Sequence, residues 1–402
     1  MKIFIYALIF LFTIFDYSNL NAQWVKTHGL DSISVECLAI DKGVIIAGTN
    51  GQGLYLSSNR GNNWLLVNNG LNGDLLFRAL LVKDNYIFAG TYLSGAYISS
   101  DQGISWSAIS GLAGQIINTW ATNETSIFAG SDVAGVFISK DNGTDWSNSN
   151  GLTYPGNYVN ALTINGPYIF AGTYQGVFLS TDEGIDWVSI NGALSGFGVS
   201  AITSYGTDLF AGTNYGVYDS PSYSDSWYPC GDLGVVDCFA VDSPNVFAGF
   251  FPGGVSLSTN GGSDWNYINE GLKNIYIYSL AIDSVNIYAG TSNGVWARPL
   301  SDILESTSNR KDQIPSTFLL SQNYPNPFNP STTINYSIPK QSNVLIKVYD
   351  VLGKQITTLI NKNEPAGNYS VEFNANKLTS GVYFYMMQAG DFIQTKKSIL
   401  LK

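Results

Sequence analysis

Residues 161–187 read ALTINGPYIFAGTYQGVFLSTDEGIDW, and this stretch decides the fold. An apolar run ends at Ile164 in the turn Asn165-Gly166-Pro167, and a second run reaches Phe170-Ala171-Gly172-Thr173. A Gly then opens an alternating third run over Val177 to Ser180, and a polar hairpin leads to Trp187. Three strands joined by tight turns, with a fourth beginning at the tryptophan, make one antiparallel sheet. The tetrapeptide recurs as IAGT ending at Thr49, FAGT at Thr91, FAGS at Ser131, FAGT at Thr173 and Thr213, FAGF at Phe250 and YAGT at Thr291. Its glycines, Gly48, Gly90, Gly130, Gly172, Gly212, Gly249 and Gly290, lie 42, 40, 42, 40, 37 and 41 residues apart, the period of a four-stranded propeller blade. The expected fold is all-β: a seven-bladed β-propeller.

Only six Trp-initiated fourth strands follow the repeats, beginning at Trp64, Trp106, Trp146, Trp187, Trp227 and Trp265. The seventh match is Trp24-Val25-Lys26-Thr27-His28-Gly29-Leu30, at the other end of the chain. The N-terminal strand therefore closes the ring against the last repeat and removes the open sheet edges. The first strand of each repeat carries a small residue at Cys37, Ala79, Thr119, Ala161, Ala201, Cys238 and Ser279, followed by a large apolar one. That is barrel taper, and it makes Cys37 and Cys238 structural candidates. Cys230 and Cys238 are also close enough in sequence to bridge one loop.

The hairpins before Trp106, Trp146, Trp187 and Trp265 read SSDQGISW, SKDNGTDW, STDEGIDW and STNGGSDW, with a weaker SSNRGNNW before Trp64. They resemble the Asp-box, or bacterial neuraminidase repeat, of sialidases and related propellers. In such a turn the Asp or Asn bonds nearby N–H groups, the Gly takes φ > 0 and the Trp packs beneath. The blade at SPSYSDSW (220–227) has lost the box, and its hairpin is expected to be less well fixed.

Residues 23–300 hold 8 Lys and Arg against 22 Asp and Glu, whereas residues 301–402 hold 10 against 7. The acidic first part, with one histidine, His28, excludes nucleic acid as a partner, since phosphate neutralisation needs clustered cations. The same count excludes a nucleophile–His relay, and Gly-rich phosphate loops and metal-ligand spacings are missing, so no cofactor is implied. Near its start the chain has a thirteen-residue, largely apolar run, Ile3 to Phe15, behind Lys2 and before the small residue Ala22. Residues 1–22 thus read as a signal peptide, with the mature chain starting at Gln23 and no later stretch long enough to span a bilayer.

Residues 301–316 are a polar linker between the propeller, 23–300, and a last unit, 317–402. That unit carries FLLSQNYPNPFNPSTTINYSIP, VLIKVYDVLGKQI, AGNYSVEFNANKLTSGVYFYMM and a basic KKSILLK end. It resembles the type A C-terminal sorting domain of type IX secretion substrates. The resemblance implies secretion, or display on the outer cell surface, through the type IX machinery. Alternating runs independently suggest about seven strands in a small Ig-like β-sandwich, entered through Asn-Pro-Phe-Asn-Pro at 326–330.

Strand direction puts the loops that carry ligands on the rim opposite the box hairpins. Tyr92, Tyr174, Tyr215, Phe251 and Tyr278 fall there and are the expected ligand-binding residues, for a glycan or an extracellular protein. A sialidase would need convergent arginines, and the propeller has only Arg60, Arg78 and Arg298. The alternative to a binding propeller is a polysaccharide-acting glycoside hydrolase. Its candidate acids are Glu36 and Asp237, at equivalent places in their repeats, with Asp74, Asp132 and Asp232 in nearby loops. Resemblance to photosystem-assembly-factor-like and sortilin-like propellers, which are binding platforms, favours the binding module.

Overall fold

The computed structural model describes residues 23–231, 234–303, 317–323 and 326–401. The stretch read as a signal peptide, most of that read as a linker and Asp232 lie outside the described residues. Seven four-stranded antiparallel sheets and a pair of smaller-domain sheets account for the described strands. The innermost strands of the seven sheets are Val35–Asp41, Phe77–Lys83, Ile117–Thr122, Val159–Asn165, Val199–Tyr205, Val236–Asp242 and Ile277–Ile282. Each packs against the next, and Val35–Asp41 also packs against Ile277–Ile282, so the sheets, here blades 1 to 7, form a closed ring.

The closure is made by the N-terminal strand. Val25–Lys26 pairs with Gly294–Pro299 in the register Val25 to Ala297 and Lys26 to Trp296. Trp24 is buried, its indole N–H donates to the Ile268 carbonyl at 2.6 Å, and its backbone N–H donates to Glu270 at 2.8 Å. Burying the largest apolar side chain at the seam is what makes a two-residue strand hold.

Blade spacing is set at the repeat glycines. Gly130 pairs in register with Thr119, and a Cβ built on it would lie 2.5 Å from Thr119 Cγ2 and 2.7 Å from Val159 Cγ1 of the next blade. Gly290 does the same across the seam, where a Cβ would lie 2.4 Å from Ser279 Oγ and 2.9 Å from the Val35 carbonyl oxygen. Neither glycine needs positive φ; what it supplies is room for the neighbouring blade. Cys37 and Cys238 sit opposite Gly48 and Gly249 in the same way. Burial pushes both thiols well above their ordinary value, and all three cysteines are free, so Cys230 and Cys238 are not bridged.

In five hairpins the serine hydroxyl accepts the glycine N–H four residues on at 2.8 Å. The Asp or Asn beside it accepts the N–H four further along, as Asp101 does from Ser105 at 2.9 Å. Trp146, Trp187 and Trp265 donate to the glycine carbonyl of their own turn, whereas Trp106 reaches back to Val67 in the preceding blade. The turn at 220–227 is held by other means. Ser220 donates to the Ser224 carbonyl at 2.6 Å, and Tyr223 lays its ring 4.9 Å from Phe170, where glycines of other blades meet the equivalent phenylalanine.

The C-terminal unit has one sheet of Leu319–Leu320, Ser331–Ile338 and Gly367–Asn374, and another in the order Gln355–Glu364, Ser342–Asp350, Gly381–Ala389, Phe392–Leu400. Strict alternation along Ser331–Ile338 turns Ile334, Tyr336 and Ile338 onto Val344, Ile346, Val348, Tyr385 and Met387. Phe328, in the Asn-Pro-Phe-Asn-Pro segment, is buried and exchanges backbone bonds with Ile399 and Leu401, so the entry segment clamps the last strand. Among the described residues no helix is long and apolar enough to cross a membrane.

Candidate functional site

Each inner strand is interrupted at the same place. The pairing register slips between Val35 and Cys37, Phe77 and Ala79, Ile117 and Thr119, Val159 and Ala161, Val199 and Ala201, Val236 and Cys238, and Ile277 and Ser279. A bulge of this kind leaves one residue unpaired and re-aims its side chain. The seven bulged residues are Glu36, Arg78, Asn118, Asn160, Ser200, Asp237 and Tyr278, and all seven line one cavity of about 540 Å³. Tyr92, Asp132, Tyr174 and Asn214, each the first residue after a repeat's second strand, complete the upper wall. The cavity is thus the mouth of the propeller on the rim opposite the serine-anchored hairpins.

The five aromatic residues expected to bind ligand divide here. Tyr92, Tyr174 and Tyr278 line the cavity together with Glu36 and Asp237. Tyr215 is exposed and packs on Phe197, with ring centres 5.0 Å apart, outside the cavity wall. Phe251 stands behind Tyr278 and against Tyr276, at 5.7 and 4.9 Å. Tyr154, Tyr158 and Tyr174 form an edge-to-face chain at 5.7 and 5.4 Å. Asp74 does not line the cavity, and both its carboxyl oxygens are buried.

Sequence reading missed Asn118, Asn160, Ser200 and Asn214, and counted Arg78 only as one of too few arginines. A signal was available. The bulge residue immediately precedes the small residue of each inner strand, and that column varies in chemistry while the columns around it do not.

The charges in the mouth are unevenly arranged. Arg78 holds its guanidinium 4.6 Å over the Tyr92 ring. Glu36 accepts hydrogen bonds from Ser34 at 2.7 Å and Asn50 at 3.3 Å. Burial, and then the negative charge of Glu36, hold the half-buried Asp237 carboxyl up to about 6. Burial, then Glu36, likewise raises the Tyr278 phenol above its ordinary value. No Lys or Arg among the described residues pairs with either acid. Arg60 pairs with Asp283 at 3.3 Å, and Arg298 is buried against Glu270 at 2.9 Å, so neither reaches the mouth. Among the described residues no three His, Cys, Asp or Glu side chains are placed to hold a metal ion.

Residues 322–401 match the family described as the secretion system C-terminal sorting domain. Solved structures similar to the chain are β-propellers. One is the extracellular domain of the hybrid two-component system BT4673 from B. thetaiotaomicron, 15% identical at a TM-score of 0.60, over 79% of this chain and 45% of that one. A second is PorZ, a bacterial surface component of the type IX secretion system of Porphyromonas gingivalis, 16% identical at 0.54, over 94% and 60%. A third is YCF48 bound to D1 peptide, 15% identical at 0.56, over 70% and 96%. The chain spans about half the length of the first two, and at these identities the likeness is one of fold. No curated protein matches the chain in sequence. The chain is therefore a propeller with a C-terminal sorting domain that directs it to secretion or the cell surface.

Proposed function

We propose that this protein is a non-catalytic binding propeller, led out of the cell by the signal peptide at 1–22 and the sorting domain at 317–402, that holds a glycan or an extracellular protein in its central mouth. The observation that carries this reading is the bulge column. Packing fixes the same residue class seven times at the repeat glycine, the small residue opposite it and the apolar residue after that. At the bulge it leaves Glu, Arg, Asn, Asn, Ser, Asp and Tyr facing one 540 Å³ cavity. A position whose chemistry changes from blade to blade while its geometry stays constant is free to be chosen for a ligand.

The test is to probe glycan and peptide arrays with the full secreted chain and with a Tyr92→Ala/Tyr174→Ala/Tyr278→Ala variant of unchanged melting temperature. Loss of the wild-type signals supports the reading, and full retention moves binding elsewhere.

A second reading, hydrolysis of a glycosidic bond, draws on one observation. Asp237 is held up to about 6 close to a second carboxylate, which is how an acid and its partner acid are set apart. Release of reducing ends from a polysaccharide panel by the wild type, abolished in both Glu36→Gln and Asp237→Asn, would favour it; no release by the wild type would dismiss it.

A further inference from the structure

Five of the seven bulged residues fall into two groups. On blades 3, 4 and 5 each one straps its blade to the next: Asn118 donates to the Val159 carbonyl at 3.2 Å, Asn160 to Val199 at 3.1 Å, and Ser200 to Val236 at 2.7 Å. The strap needs a proton donor of short reach. Asp237 on blade 6 and Glu36 on blade 1 stand at the same bulge and, as carboxylates, have no proton to give. Here the fold forgoes an inter-blade hydrogen bond that Asn or Ser makes elsewhere, and places negative charge in a half-buried cavity instead. Acids standing where the equivalent bulge of other blades carries a strap donor, in the wall of the same cavity, mark a functional position.

Between the two acids, on blade 7, stands Tyr278, backed by Phe251 and Tyr276. Two carboxylates beside an aromatic wall attract a cation by charge and by the face of the rings. The same mouth already holds one cation over a ring face, the Arg78 guanidinium over Tyr92. We propose that Asp237, Tyr278 and Glu36 bind a guanidinium or ammonium group, carried by an Arg or Lys side chain of an extracellular peptide; this rests on the mouth being the binding site. Asp237 lies at the bulge level of the cavity, below the Tyr92 and Tyr174 tier, a depth that suits a cation carried on a slender stem. Arg and Lys side chains have one, whereas an amino sugar carries its ammonium directly on a bulky ring.

The experiment titrates the full secreted chain with acetylated Gly-Gly-X-Gly-Gly amides, X being Arg, Lys, Gln or Glu, and with chitosan oligosaccharides, following tyrosine fluorescence. The variants are Asp237→Asn, Glu36→Gln and, on the far side of the mouth, Asp132→Asn. The Arg and Lys peptides are expected to bind and the Gln and Glu peptides not. Asp237→Asn should weaken binding about tenfold or more, and Asp132→Asn far less. Asp237→Asn also restores a strap donor, so it should melt no lower than wild type, which separates lost binding from lost folding. Equal binding of all four peptides, or Arg binding unchanged in Asp237→Asn, overturns the assignment. Preference for chitosan over the peptides overturns the peptide in favour of an amino sugar. Array ligands that depend on Tyr92 and Tyr174 but not on Asp237 overturn the cation site and leave the mouth as the binding site; no ligand dependent on any mouth residue overturns both.

Discussion

Replacing Trp24 with Ala tests the ring closure directly. The indole is buried at the seam between blades 6 and 7, and truncating a buried Trp costs about 3–5 kcal/mol. The hydrogen-bond part of the loss is small. Ile268, whose carbonyl accepts the indole N–H at 2.6 Å, also accepts from Arg298 at 2.6 Å, so the variant leaves no orphaned acceptor. The backbone bond from residue 24 to Glu270 needs no side chain and survives. What is lost is packing. At about 2–4 °C per kcal/mol for a domain of this size, the propeller transition should fall by about 6–20 °C. Calorimetry of the full chain reads it, and the sandwich, with a separate core, supplies a transition that should not move. Trp146→Ala, whose indole bonds only within its own hairpin and is partly exposed, should shift the propeller less. A Trp24→Ala transition within about 2 °C of wild type would refute the closure argument.

Three other outcomes follow from the same physics. Gly130→Ala forces a methyl group against Thr119 and Val159 and should cost about 1–3 kcal/mol, read as a lower urea midpoint; an unchanged midpoint would mean that the blades are not set by this contact. Asp219, buried in blade 5 and repelled by Asp208, is held up to about 7, above the unfolded value near 3.9, so the folded state binds the extra proton. The contribution of Asp219 to stability should then be greatest below about pH 4 and fall as pH rises towards about 7; Asp219→Asn should be more stable than wild type at pH 8, on the order of 2–4 kcal/mol, and about equal to it at pH 4. A variant no more stable at pH 8 would contradict that assignment. Finally, a chain ending after Ile303 should accumulate in the periplasm of a host with type IX secretion, and its appearance in the medium would show that the sorting domain is dispensable.

The sequence by itself determined the repeat, the number of blades, the closing strand and the sorting domain. Each of these is written in residues that are neighbours in the chain or recur at a fixed period: the AGT phrase, the Trp-initiated strand, the alternation of Thr332 to Ile338. It also placed Tyr92, Tyr174 and Tyr278 on the mouth's rim, since strand direction fixes which loops share a rim. The tertiary structure decided what the local pattern does not encode. A register slip is a property of two paired strands, so nothing within Val35–Asp41 alone announces that Glu36 is turned inward. Trp106 and Trp146 follow near-identical turns yet donate to different blades, because the choice depends on what the neighbouring blade offers. Glu36 and Asp237, about two hundred residues apart, come to act on one another only because the ring closes between them.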